Sequence, residues 1–265
     1  MDPVIIAFIV VLSLSGVFAL LGLGGASIYV PIFFWLGIPL EQAIPAGLFL
    51  NVVSTGVSSF NYRGMFNPKA AFWILAGVLV GAPIGVWLSG ALPQKLIIGL
   101  FALVLILAAL RMIFGKIKQA KKDGAIQEGE AGFVEEIGAS VLGISITRGA
   151  AGSLTGVISG TLGIGGGVFL VPFLIETGFQ PKKAAVLSTF VVFFASLFSL
   201  LGHAAMRSLD YNFLIMTGAA ALIGAFFGSR MMAQGKVDDA LVKKAFAVIL
   251  ILFGLKLAAD FFALP

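Results

Sequence analysis

Gly22-Leu23-Gly24-Gly25-Ala26-Ser27-Ile28-Tyr29-Val30-Pro31 returns as Gly163-Ile164-Gly165-Gly166-Gly167-Val168-Phe169-Leu170-Val171-Pro172, 141 residues later. Each copy sets glycines inside a long apolar stretch and places a proline six residues beyond Gly25 or Gly166. A glycine cluster suits a plain membrane span poorly. It suits a broken helix, because glycine lets the backbone leave helical angles and lets a ligand come close. The helix restarting after the break presents unpaired N–H groups and the positive end of its dipole. Such an end favours an anion without placing a full positive charge in lipid. The competing reading of one such cluster is tight helix packing, since glycine is common in membrane helices. Duplication at matching positions favours a ligand site between two related halves.

Composition sets the surroundings. Hydrophobic residues make up 60% of the chain and charged residues 11%, with mean hydropathy +1.10. Soluble domains carry roughly a quarter charged residues, so the surplus apolar surface calls for lipid. The apolar runs are continuous and about 20 residues long, which predicts helices rather than the short alternating strands of a barrel. Cysteine is absent, which excludes disulfides and thiolate metal ligands. No positive leader precedes the first apolar run, so that run is expected to be retained.

The apolar regions fall near 4–36, 42–62, 68–90, 94–114, 139–176, 184–203, 210–232 and 239–263. The first and fifth are too long for one span, and both hold a glycine break. The expected organisation is an N-terminal membrane repeat, 1–114, a polar connector, 115–138, and a C-terminal membrane repeat, 139–265. The repeat extends past the glycines: Thr55 matches Ser196, Ser58 matches Ser199 and Tyr62 matches His203. The predicted fold is an all-α integral membrane protein of two homologous halves. Each half has one glycine-broken element followed by three transmembrane helices.

Charge orients the halves. If all eight regions crossed once and the connector were cytoplasmic, Lys182, Lys183, Arg230, Lys236, Lys243 and Lys244 would lie outside, against the positive-inside tendency. If each broken element enters and leaves on one side, those residues lie inside with Arg63, Lys69, Arg111 and the connector lysines. The halves then run in opposite senses, a common transporter plan. A re-entrant element and a full span followed by a returning half-helix give the same parity.

Polar stripes add donors. Asn51, Ser54, Thr55 and Ser58 recur at helical spacing after the first break, and Ser188, Thr189, Ser196, Ser199 and His203 follow the second. Hydroxyls and amides hold a small oxyanion without trapping it by charge; they also serve as interhelical glue. With Gly24, Gly25, Ser27, Gly165, Gly166 and Gly167 they form the expected substrate site. His203, the only histidine, donates or titrates near neutral pH. Arg63 and Arg207 follow the striped helices, where they anchor helix ends or draw anions to the mouths. The spacing of Gly77, Gly81 and Gly85, of Gly152, Gly156 and Gly160, and of Gly224 and Gly228 predicts close helix packing.

Several classes are disfavoured. Neither glycine cluster carries the lysine of a phosphate-binding loop, and neither follows the strand of a dinucleotide fold. No HExxH motif and no mid-span carboxylate is present, so neither a metal centre nor an acidic proton relay is visible. No cofactor, no catalytic residue and no nucleic-acid partner is expected.

At the two glycine clusters, with Pro31 and Pro172, the two-half layout and the polar connector, the chain resembles the TauE/SafE family of sulfite exporters. The resemblance covers nearly the whole chain. It implies movement of sulfur-containing anions such as sulfite, thiosulfate or organosulfonates across a prokaryotic cytoplasmic membrane, with the connector cytoplasmic. Ala26 departs from the triple glycine of the second half, so the halves are expected to contribute unequally. The partners implied are a small anion and the bilayer; a homo-oligomer is allowed and no coupling ion is specified. The alternatives are an anion channel using the same donors, and an intramembrane enzyme or accessory subunit, for which no nucleophile–base pair is recognisable.

Overall fold

The computed structural model describes residues 3–21, 24–63, 68–114, 141–177, 179, 181–206, 211–234 and 239–263. The connector 115–138, Gly22, Leu23 and Arg207 lie outside the described residues. The elements among the described residues are all helices: α1 (Pro3–Leu21), α2 (Ala26–Trp35), α3 (Leu40–Asn61), α4 (Pro68–Ala91), α5 (Gln94–Phe114), α6 (Val141–Leu162), α7 (Gly167–Glu176), α8 (Pro181–Met206), α9 (Tyr211–Ala233) and α10 (Asp239–Ala263). The order within each half is the same: one long helix, one short helix, three long ones.

Each glycine cluster therefore ends one helix and starts another. α1 and α6 have 19 and 22 residues, about 28 and 33 Å at 1.5 Å per residue. That matches a hydrocarbon core of about 30 Å. α2 and α7 have 10 residues each, half that length. The broken element is thus a full-length helix followed by a half-length returning one. α2 starts beside the middle of α3, where the Ala26 N–H meets Asn51. It returns to the start of α3 through Leu36–Pro39.

The helices pair across the halves in a reciprocal pattern. α4 packs on α6 and α1 on α9, the same pairing with the halves exchanged; α3 packs on α8 and α5 on α10. The meeting residues set the directions. Gly77 faces Gly149, Gly81 faces Ser153 and Gly85 faces Val157 and Gly160, so α4 and α6 run side by side in one direction. Gly224 meets the Leu12 carbonyl and Gly228 that of Gly16, so α1 and α9 do the same. Asn51 meets Ser196 while Gly56 meets Phe193, so α3 and α8 run oppositely. Gly99 beside Phe261 and Gly254 beside Ile106 give α5 and α10 the same opposed sense.

Glycine makes these contacts close. A Cβ at Gly81 would overlap the Ser153 carbonyl, and one at Gly152 the Ile74 carbonyl. Backbone-to-backbone packing of this kind is what holds membrane helices together where lipid is as apolar as leucine.

Burial divides the molecule into a lipid-facing shell and a mixed interior. Trp73, Leu79 and Trp87 on α4, Leu103 and Leu107 on α5, Ile215 and Phe227 on α9, and Leu252 and Leu255 on α10 are exposed. A contiguous apolar surface of this size fits a bilayer. Five described helices, within α3, α4, α5, α8 and α9, are long and apolar enough to cross one. The short helix α2 lies inside, with Ile28, Tyr29, Val30 and Phe33 buried. Buried with them are Ser27, Asn51, Ser54, Thr55, Ser58, Ser188, Ser196, Ser199 and His203.

Candidate functional site

The two glycine clusters converge on one side chain. Asn51, buried in the middle of α3, accepts a hydrogen bond from the Ala26 N–H at 3.0 Å. Its Nδ2 donates to the Ile164 carbonyl and to Ser196 Oγ, both at 3.3 Å. The amide oxygen thus caps the first N–H of α2, and the amide nitrogen holds a carbonyl of the second break. Every hydrogen-bonding position of this buried amide that the contacts describe is matched by chemistry, acceptor to donor.

Glycine is required around this side chain. A Cβ at Gly24 would come within 2.6 Å of Asn51 Oδ1, and one at Gly165 would overlap Asn51 Nδ2 and stand 2.8 Å from Ser196 Oγ. Both residues also have left-handed φ, 68° and 73°, which costs an L-residue about 1–2 kcal/mol. Gly25 differs. It has an ordinary φ of −84° as the N-cap of α2, and its missing side chain is replaced by the ring of Tyr29, which lies against it. Gly166, the N-cap of α7, has φ 75°, and a Cβ there would stand 2.7 Å from the Thr155 carbonyl.

The halves are not equivalent here. The residue 141 positions after Asn51 is Val192, whose side chain packs against Gly165. Valine offers α7 no cap. Phe169 and Leu170 donate to the Gly166 carbonyl, while the N–H groups of Gly167 and Val168 find no acceptor among the described residues. The start of α2 is capped by a side chain; the start of α7 keeps two N–H groups open at the positive end of its dipole.

The stripes divide in the same way. Ser54 and Thr55 donate to the Asn51 carbonyl and Ser58 to that of Ser54, each within its own helix. Thr189 donates to Ala185. These hydroxyls have spent their protons on the preceding turn and offer lone pairs only. Ser199 donates to Ser159 Oγ at 3.1 Å, joining α8 to α6. His203 bonds the Gly160 carbonyl through Nε2 at 2.8 Å. Ser27 and Ser188 are different: each is fully buried and its hydroxyl has no hydrogen-bond partner among the described residues. Gly24, Asn51, Gly165 and Ser196 are therefore drawn into direct contact. Ser54, Thr55, Ser58 and Thr189 turn back on their own helices, and Ser199 and His203 tie α8 to α6.

Sequence reasoning missed Thr155, which seats Gly166, and Ser159, which pairs with Ser199. Both lie on α6 before the break. Their spacing from Gly163 back along an apolar helix, at eight and four residues, is the signal that places them on one face. A groove of about 570 Å³ runs between α5, α6 and α7, with Val168 in its wall and Arg111 among its lining residues. Its other lining side chains are apolar, so Arg111 is the one lining side chain that brings hydrogen-bond donors.

Described helices with an apolar outer face, and two broken helices meeting at a buried amide, fit the class of membrane transporters. The family model described as "Sulfite exporter TauE/SafE" matches residues 6–257, and the chain belongs to that family. "Probable membrane transporter protein YunE" of Bacillus subtilis is 29% identical over 262 residues, covering 90% of this chain and 91% of that protein. A probable membrane transporter protein of Methanocaldococcus jannaschii is 32% identical over 108 residues, 38% of this chain and 39% of that one. "Sulfite exporter TauE/SafE family protein 5" of Arabidopsis thaliana is 32% identical over 85 residues, 31% of this chain and 19% of that one. No solved structure matches the chain.

Proposed function

We propose that this transporter carries a small sulfur oxyanion, such as sulfite, thiosulfate or an organosulfonate, through a site between its two breaks. The observation that carries the reading is the meeting of both breaks at Asn51. The anion is held chiefly by the second break, by the open N–H groups of Gly167 and Val168 and the hydroxyl of Ser196. Ser188 stands where the first half has Gly47, 141 residues earlier, and Gly47 packs on Ala26 and Val30 of α2. Repeat equivalence sets the unpartnered Ser188 hydroxyl beside Gly167 and Val171 of α7. Neutral donors of this kind strengthen in a site closed to water and release the anion when the site opens.

The two halves are read as inverted repeats. Support comes from the helix directions: α1 runs with α9 and α4 with α6, while α3 opposes α8 and α5 opposes α10. Opposed senses follow if each half crosses an odd number of times, which a full helix plus a returning half-helix and three further spans provide. Rocking one half on the other about the α3–α8 crossing would open the breaks to each side in turn. The positive-inside tendency supports a cytoplasmic connector, and the family likeness supports a place in the cytoplasmic membrane.

The test is flux. Purified protein in liposomes is expected to give saturable uptake of radiolabelled sulfite or thiosulfate. A folded sample that moves neither anion, nor an organosulfonate, would remove the substrate assignment.

A further inference from the structure

Tyr62 and His203 lie 141 residues apart, and so do the carbonyls they bind, Ala19 and Gly160. Tyr62 donates its hydroxyl to the Ala19 carbonyl at 2.8 Å. His203 Nε2 meets the Gly160 carbonyl at the same 2.8 Å. Both side chains are 1% exposed. The two bonds are one tether used twice: the end of α3 is tied to the end of α1, and the end of α8 to the end of α6. The chemistry differs at one point. A phenol holds its proton to about pH 10, whereas imidazole exchanges one near neutrality.

His203 is also the last of a polar line. Ser196, Ser199 and His203 share one face of α8 at i, i+3 and i+7. They touch, in turn, Asn51, Ser159 and Gly160. The line runs from the α3–α8 crossing to the end of α6, about 10 Å.

We propose that His203 is the binding site of a proton that travels with the anion. The proposal rests on the anion-transport reading and adds its coupling ion. A carbonyl only accepts, so the neutral ring carries its hydrogen on Nε2, and the arriving proton forms an N–H bond at Nδ1. It comes from the water at the His203 end of α8, and that N–H bond breaks again when the site opens to the other side. Anion at Ser196 and imidazolium at His203 attract through a layer with little competing charge. α8 packs on α3, α4, α6 and α7. Their charged residues are Glu41, exposed in the first turn of α3, Lys69 at the start of α4, Arg148 on α6, and Glu176 at the far end of α7. Arg148 precedes Gly160 by 12 residues, about 18 Å. On α8 itself Lys182 and Lys183 stand at the opposite end, and Arg207 follows His203 by four residues.

The experiment uses the full chain in liposomes that trap a pH-reporting dye, driven by a gradient of thiosulfate, which stays ionised through the neutral range. The variants are His203→Tyr, which copies the first half's tether, and His203→Gln, which keeps a donor where Nε2 stands. In the wild type, protons are expected to move in the same direction as thiosulfate. Its flux is expected to rise about tenfold from about pH 8 to about pH 6, as one-proton linkage allows. In the variants the residual flux carries no protons and varies less than about twofold over that range. Variants that still move protons with the anion, or keep the wild-type pH profile, overturn the proposal. So does wild-type flux with no proton movement. Complete loss of flux in both folded variants would assign His203 to holding the anion and equally end its proton role. A wild type that moves no sulfur anion defeats the transport reading first, and is told apart by that.

Discussion

Asn51 on α3 donates to Ser196 Oγ on α8 at 3.3 Å while its own oxygen caps the Ala26 N–H at 3.0 Å. One amide therefore closes a circuit that includes both long crossing helices and both breaks. The second half has Val192 in its place, so the circuit has no duplicate. Asn51→Leu is expected to destabilise the protein by about 2–3 kcal/mol, since three hydrogen bonds of about 1 kcal/mol each are lost in a buried setting. Anion flux should fall with it. Asn51→Asp adds charge at the same crossing. One oxygen still caps Ala26, but the other faces the Ile164 carbonyl to which Nδ2 donated, so stability falls as well. The ionised carboxylate repels an anion about 6 Å away by about 3 kcal/mol at an effective dielectric of about 20, and affinity should drop about 100-fold. Flux titrations and melting in detergent measure the two quantities; an aspartate variant with wild-type affinity would remove the anion from this crossing.

Gly25 and Gly166 are both N-caps, yet glycine is needed for different reasons. Gly25 is in ordinary helical space, and the nearest obstacle to a side chain there is the Tyr29 ring. Gly166 is left-handed and faces the Thr155 main chain. Gly166→Ala is expected to cost about 1–2 kcal/mol for the backbone conformation alone, beyond the clash. Gly25→Ala should be partly relieved by Tyr29→Leu, giving a coupling of about 1 kcal/mol or more in a double-mutant cycle. Trimming Thr155 should not rescue Gly166→Ala, because its carbonyl stays. Additive effects of Gly25→Ala and Tyr29→Leu would contradict the contact. In both halves leucine at these positions should abolish flux, and normal flux in Gly25→Leu and Gly166→Leu would exclude the glycines from the site.

Much of this arrangement was legible before any coordinates. Continuous apolar runs exposed the helices, and the 141-residue echo exposed the two breaks, because a glycine cluster in an apolar helix leaves few structural options. The match of Tyr62 with His203 was readable too. What each of them binds was not, because Ala19 and Gly160 contribute only carbonyls, and any residue has one. The length of the broken element was also hidden. Re-entrant and full-span forms leave the same charges on the same sides, and only the lengths of α1 and α6 beside those of α2 and α7 distinguish them. Within the stripes, sequence shows which residues are polar and not where their protons go. Thr55 and Ser196 match in the repeat, but one turns back on its own helix and the other receives Asn51.

The opposed halves can be tested without disturbing the fold, because the chain has no cysteine. Lys95→Cys, at the start of α5, Ala204→Cys, exposed at the end of α8, and Ala125→Cys, in the connector, are single reporters. An impermeant maleimide added to intact cells is expected to label the first two and to reach the third only after the membrane is opened. Labelling of Ala204→Cys only together with Ala125→Cys would contradict the opposed senses of the two halves.

Ser27 and Ser188 offer the cleanest separation of binding from folding. Each hydroxyl is buried and has no partner among the described residues. An unmatched buried hydroxyl costs about 1–3 kcal/mol, so replacing it by alanine should leave stability unchanged or slightly higher. Ser54→Ala and Ser58→Ala serve as controls, since those hydroxyls already bond their own helix. If the unmatched hydroxyls await the anion, Ser188→Ala should raise the KM for sulfite or thiosulfate about tenfold, the worth of one neutral hydrogen bond in a closed site. Ser27, at the capped start of α2, should show a smaller effect than Ser188, which lies on α8 and which repeat equivalence sets beside α7. A larger loss at Ser27 than at Ser188 would reverse the assignment of the anion to the second break.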